Sequence, residues 1–272
     1  RINVTAVEIS KNSLNRKFKK ISKEAVTEKI EKIRSDFSTE KLDIQTLERS
    51  TRLALAIEEI CTQNQIKGGA FNCHGDVFRF NSEIGVTACL AVTELAKNNI
   101  SFACTGDLPA GIALTIGKEI AGSSLYCELY QLDIQGNWLL VANGGEGDTS
   151  IHGGKEDIAL LPEDHYMGEN GPGVAVAFDI KKGPSTLLSL TPISEPQESW
   201  RLIVAEGEII DSRHTGMEGP NGMFRFDSGE VRSCYAKWCD MGATHHAALI
   251  PGHGKKELTI AAATLGIEIK FV

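Results

Sequence analysis

The sequence predicts an α/β fold: an α/β unit built on a mainly parallel sheet, followed by a unit of antiparallel strands with one late helix. Short apolar strands alternate with helical patterns up to about residue 143, the rhythm of βαβ units. A glycine-rich passage, Gly144-Gly145-Glu146-Gly147-Asp148, interrupts that rhythm. Beyond it, apolar runs are separated by Gly-Pro, Glu-Pro and Asn-Gly turn signals rather than by helices. A chain of 272 residues holds one large domain or two ordinary ones. The texture divides it into residues 1–146 and 147–272.

Residues 13–37 place Phe18, Ile21, Ala25, Val26, Ile30 and Ile33 at three- and four-residue steps, which predicts one amphipathic helix. Its basic patch, Arg16-Lys17-Phe18-Lys19-Lys20, is offset by the glutamates that follow and reads as a solvated face. A second helix over 44–65 uses Leu47, Ala54, Leu55, Ala56, Ile57 and Ile60 and stops before Gly68-Gly69. A strand at 69–73, a helix at 83–96, a strand at 101–104 and a helix at 108–121 come next, then strands around 125–132 and 138–143. In the second unit, strands are expected at 174–180, 185–191, 200–210 and 231–239, then a helix at 255–265 and a closing strand at 267–272.

The apolar fraction of 42% and charged fraction of 24% are ordinary for a globular protein and exclude a disordered or collagen-like chain. No stretch approaches the roughly 18 uncharged apolar residues of a spanning helix, so no membrane partner is expected. A net charge of −8 repels a phosphate backbone, so neither is nucleic acid. The cysteines (Cys61, Cys73, Cys89, Cys104, Cys127, Cys234, Cys239) are odd in number and mostly sit in apolar runs, the pattern of buried thiols in a reducing, cytoplasmic compartment. The opening residues, Arg1 to Val7, look like the inside of a folded segment, as in a piece of a longer protein.

Ligands of open α/β sheets bind beyond the carboxyl ends of strands. Those ends carry Asn72-Cys73-His74-Gly75-Asp76, Thr105-Gly106-Asp107 and the passage from Asn143 to Asp148, with Glu128 inside an apolar strand. Each has a plainer explanation as well. Asp107 precedes Leu108-Pro109, where a carboxylate caps helix amides; Glu128 needs water or a partner; His74 and Asp76 fit a solvated loop. A second cluster holds His245, His246 and His253 among small and apolar neighbours. Adjacent histidines on a strand point to opposite faces, so one of His245 and His246 reaches a given metal. Gly252-His253-Gly254-Lys255-Lys256 fails as a phosphate loop, with Leu249 in place of the first glycine and Lys256 in place of Ser or Thr.

In this order, Phe102-Ala103-Cys104-Thr105-Gly106-Asp107, Tyr126-Cys127-Glu128-Leu129-Tyr130, the Asn143 turn and Ala243-Thr244-His245-His246 resemble the L-fucose isomerase and L-arabinose isomerase superfamily. The resemblance spans nearly all of the chain. It implies the family's central α/β domain and a C-terminal antiparallel, barrel-like domain, with the N-terminal domain absent from this chain. It further implies a small sugar substrate, aldose–ketose isomerisation through an enediol, Mn2+ or another divalent cation, and a homo-oligomer. Carried over residue by residue, Glu128 is a metal ligand and catalytic carboxylate, and His245 or His246 the late histidine ligand. Asp107 is a catalytic candidate, and Asn143, His74, Asp76 and Glu146 are candidates for substrate contact. Thr105 departs from the pattern, since the resemblance places a carboxylate there. A working isomerase then needs a third ligand from elsewhere, such as Asp107, Asp76 or Glu146. The alternative is a non-catalytic sugar-binding homologue.

Overall fold

The computed structural model describes residues 4–73, 75–153, 158–163, 172–194, 199–211, 217 and 219–272. The amphipathic stretch near the start forms two helices, α1 (Lys11–Lys20) and α2 (Lys23–Asp36), where one was expected. The break falls at Ser22, whose hydroxyl accepts the Ala25 N–H and so caps α2. Helix α3 (Ile44–Gln63) starts in the same way at Asp43, which accepts from the Thr46 N–H. The three bury Phe18, Ile33, Leu47 and Leu53 in a common core.

The chain then runs through β1 (Gly68–Ala70), α4 (Cys89–Lys97), β2 (Ser101–Ala103) and α5 (Leu108–Ala121), with β1 and β2 paired in parallel. The expected sheet was larger. The next two strands, β3 (Leu125–Asp133) and β4 (Trp138–Ala142), pair antiparallel and belong to the second sheet. Their connection explains the correction: Asp133 accepts from the Gly136 N–H and Asn137 adopts φ +56°, a tight turn far too short for a parallel crossover. The short strands β5 (Ala159–Pro162) and β6 (Val174–Ala177) form an antiparallel pair of their own.

Strands β7 (Gly183–Ile193), β8 (Ser199–Asp211), β9 (Asn221–Phe226) and β10 (His246–Pro251) complete the large sheet in the order β8-β7-β10-β3-β4-β9. Pairing of β9 with the second half of β8 closes it into a six-stranded antiparallel barrel. The first half of that β8 edge is taken by β11 (Glu268–Phe271), in parallel. The segment expected as a strand at 231–239 is instead helix α6 (Val231–Asp240). Val231, Cys234 and Trp238 are its buried residues, a three- and four-residue spacing that presents one face of a helix. With α7 (Lys255–Leu265), two late helices accompany the barrel rather than one. No helix among the described residues is long and apolar enough to cross a membrane.

Alternation along the strands sorts two cores. Leu125, Cys127, Leu187, Ile203 and Leu249 join one, while Tyr126, Leu188, Leu202 and Ala248 join another with α5 and α7. Helix α5 is the joint between the sheets. A Cβ at Gly111 would strike the backbone of Gly69 on β1, and one at Gly117 would strike Ile250 on β10, so glycine lets the helix press on both. Lys118 near its end forms a buried ion pair with Asp148 (2.6 Å), just past β4.

Candidate functional site

A pocket of about 490 Å³ lies between the ends of β1 and β2 and the barrel strands β3 and β4. Its α/β wall is built by Cys73, Arg79, Cys89, Cys104 and Thr105, and its barrel wall by Tyr126, Glu128, the turn from Asn143 to Glu146, and Glu163.

Glu128 reaches the wall through register. It is directly opposite His246 on β10 and Ala142 on β4, so its side chain leaves the sheet on the same face as Tyr126 and His246. Asn143, 3% exposed, follows β4 and turns inward; its Oδ1 accepts from the N–H groups of Gly145 and Glu146, both at 2.9 Å. This Asx-type turn aims Glu146 into the pocket. Glu146 is only 1% exposed, and neither carboxylate oxygen has a hydrogen-bond partner by geometry. Burial, then the charges of Cys73, Glu163 and Glu128, push its carboxyl up to about 8, against a smaller downward pull from the Cys104 thiol. Glu146 therefore carries its proton at neutral pH.

Arg79, which also lines the pocket, buries Nε and Nη1 without a hydrogen-bond partner and lays its guanidinium over Phe80, 4.6 Å from the ring centroid. Glu163 accepts from the Thr87 hydroxyl and from the Cys89 thiol, the latter at 3.1 Å. Thr105 sits at φ +59°, a conformation that a β-branched residue rarely adopts, followed by Gly106 at φ +77°. Its hydroxyl donates to the Cys104 carbonyl (2.7 Å) and lies 3.3 Å from the Tyr126 hydroxyl.

The remaining candidates lie elsewhere. Asp107 caps α5 through Oδ1, which accepts from the Ala110 N–H at 2.9 Å. Its Oδ2 is 2.7 Å from Nδ1 of His246, and this bond first, then the Ala110 N–H and the nearby His245 and His246 charges, hold the Asp107 carboxyl low despite partial burial. Both residues border a second depression beside β7. His245 is exposed, its ring 4.1 Å from that of His246. Asp76 faces solvent in a 2.6 Å pair with Lys11, away from the pocket, and His74 lies outside the described residues.

Sequence reasoning singled out Glu128, Asn143 and Glu146, which do meet, but passed over Arg79, Glu163, Cys89 and the pairing of Cys73 with Cys104. The usable signal for the last was the matching position of two cysteines after neighbouring strands; the others carry none.

A divalent cation needs several ligands converging on one point. Among the described residues, no group of three His, Cys, Asp or Glu side chains does so. Asp107 and His246 spend facing atoms on each other, and Thr105 offers only a hydroxyl already engaged. Among the described residues, the side chains that the resemblance names for manganese do not converge on one point.

Residues 123–268 match the family model described as the L-arabinose isomerase C-terminal domain. A sulfoquinovose isomerase from Alkalicoccus urumqiensis is 24% identical over 220 residues, covering 79% of this chain. The chain spans 46% of the length of that curated relative.

Proposed function

The chain belongs to the L-arabinose isomerase C-terminal domain family, within the arabinose and fucose isomerase superfamily, and on that premise we propose that it carries the catalytic pocket of an aldose–ketose sugar isomerase. The observation that supports this most is Glu146: a buried carboxyl that lines the pocket, with its pKa brought near the operating range of a general acid–base.

With the open-chain sugar seated, Glu128 takes the proton from the second carbon while protonated Glu146 gives its proton to the carbonyl oxygen of the first, forming an enediol. Glu128 then returns its proton to the first carbon, and Glu146 takes the hydroxyl proton from the second oxygen. The ketose is formed and both carboxyls are restored. Arg79 supplies the cation on the opposite wall. The relative's name is that of a sulfoquinovose isomerase, and a guanidinium whose buried Nε and Nη1 have no hydrogen-bond partner suits an anionic substituent of a sulfo-sugar.

The test is incubation of the purified chain in deuterated water with sulfoquinovose and a panel of neutral aldoses, read by proton NMR. Ketose formation with deuterium entering at the first carbon, through exchange on Glu128 before the proton is returned, is expected, and Glu146→Gln is expected to lower both sharply. Parallel samples with added Mn2+ and with chelator determine the ion dependence directly. A second function, sugar binding without chemistry, is favoured by Thr105 standing in place of a carboxylate. Saturable binding by calorimetry with no deuterium exchange in any sample would select it.

A further inference from the structure

The same pocket wall holds a feature that isomerisation does not use. Cys104 directly follows β2, and Cys73 lies just beyond β1. The parallel pairing of Ala70 with Ala103 continues past the strand ends, where the Phe71 N–H donates to the Ala103 carbonyl at 2.9 Å. The chain after Cys104 then folds back, so that the Gly106 N–H donates to the Phe71 carbonyl at 2.8 Å. Two consecutive positive φ angles, at Thr105 and Gly106, make this return possible. The outcome is a sulfur pair: Sγ of Cys104 lies 2.8 Å from Sγ of Cys73, and the Thr105 N–H donates to Cys73 Sγ at 3.2 Å. Both cysteines are partly exposed and line the pocket.

The geometry points to Cys73 and Cys104 as a redox modification site, a dithiol that a peroxide converts to an intramolecular disulfide across the ends of β1 and β2. The two thiols are inequivalent. The hydrogen bond from Cys104, aided by the Thr105 N–H, draws the Cys73 thiol below the ordinary range, while Cys104 is held above it. Cys73 is therefore the attacking sulfur.

Its thiolate attacks one oxygen of hydrogen peroxide; an S–O bond forms, the O–O bond breaks, and the departing hydroxide takes a proton to leave as water. The sulfur of Cys104 then attacks Cys73 sulfenic acid. An S–S bond forms, the S–O bond breaks, and the hydroxyl leaves as a second water with the Cys104 proton. Two thiols lose two electrons and one peroxide gains them. A reducing dithiol reverses the change. Cys89, also on this wall, stays reduced: it is buried, its thiol donates a hydrogen bond to Glu163, and it is held well above the ordinary range by burial and that carboxylate.

The experiment exposes the purified full chain to hydrogen peroxide, blocks free thiols with N-ethylmaleimide, and maps the peptides by mass spectrometry without reduction. A linked peptide joining Cys73 and Cys104, lost on treatment with dithiothreitol, is expected. So is a loss of maleimide at those two positions alone. In Cys104→Ser the reaction should stop at a Cys73 sulfenic acid that dimedone captures, and in Cys73→Ser neither product should form. The wild-type map needs no variant to fold. Maleimide on both cysteines after peroxide, a link from Cys73 to Cys89, or a link between two chains would overturn the proposal.

Discussion

The two walls of the pocket differ in how they are held. The barrel wall takes Tyr126 and Glu128 from a strand paired on both edges, and Glu146 from a turn fixed by Asn143. The α/β wall takes Cys73, Arg79 and Thr105 from segments that follow two short strands. The family match begins at residue 123, just ahead of β3, and so covers the barrel wall while leaving out Cys73 to Thr105. A one-residue slip in a barrel strand would move every side chain to the wrong face, so register holds Glu128 in place. No such constraint binds a strand-end loop, and there a threonine stands where the resemblance asks for a carboxylate. On the proposed isomerase function, the barrel wall keeps the chemistry and the α/β wall is free to set the ligand.

The division is sharpened most by two substitutions read side by side. Glu146→Gln should lower kcat by about a hundred- to ten-thousand-fold, the usual contribution of a positioned acid–base group. Arg79→Met should act mainly through KM, because it removes a contact made equally before and during the reaction. Steady-state kinetics on both variants checks this. A kcat unchanged in Glu146→Gln, or lost in Arg79→Met with KM untouched, would break the comparison.

A comparably large effect on stability is expected where the two regions meet. Lys118 on α5 and Asp148 after β4 are 7% and 3% exposed in their side chains, so Lys118→Met leaves a buried carboxylate without its cation. Such losses cost about 3–5 kcal/mol. The lower end is expected here, since Ser124 and Ser150 still donate to Asp148. Urea denaturation measures it, and a cost under about 1 kcal/mol would mean that the glycine contacts of α5 hold the joint without the pair.

Glu146 also ties stability to pH. Its carboxyl titrates near 8 in the folded chain, raised from 4.5. The folded state therefore binds the proton more tightly than the unfolded state. Below the unfolded value both states are protonated and nothing is lost. From about 4.5 to 8 stability falls as pH rises, by at most ~1.4 kcal/mol per unit, and above 8 the loss is complete. Glu146→Gln should remove that part of the slope in denaturation curves taken across this range, leaving the variant more stable in alkali although far less active. An identical slope in both proteins would show that Glu146 is not the buried proton carrier.

Much of this site was legible in the sequence where one local pattern had one outcome. Asp107 before Leu108-Pro109 does cap a helix, and Glu128 within an apolar strand does line a pocket. The larger architecture was less so. The tight turn between β3 and β4 was written in Asp133, Gly136 and Asn137, yet the preceding alternation of strand and helix masked the change from parallel to antiparallel pairing. Residues 231–240 carry valine, tyrosine and tryptophan, which favour strands, and only the spacing of the buried Val231, Cys234 and Trp238 reveals a helix. Arg79 reaches the pocket from a segment without regular periodicity, so tertiary folding alone places it there. Asp107 and His246 are separated by 139 positions, and nothing local could pair them.

The smallest effect is expected at Asp76, and it tests the boundary of the α/β wall. The strand-end pattern made this residue a candidate for substrate contact, but its side chain is 74% exposed and its carboxylate meets Lys11 at 2.6 Å outside the pocket. The neighbouring lysine holds the Asp76 carboxyl low, first by hydrogen bonding and then by charge. Solvent screening leaves such an exposed pair worth little. Asp76→Ala should therefore leave both kcat and KM unchanged and move the denaturation midpoint slightly or not at all. A clear rise in KM would extend the ligand-setting wall beyond Cys73, to the loop that follows β1.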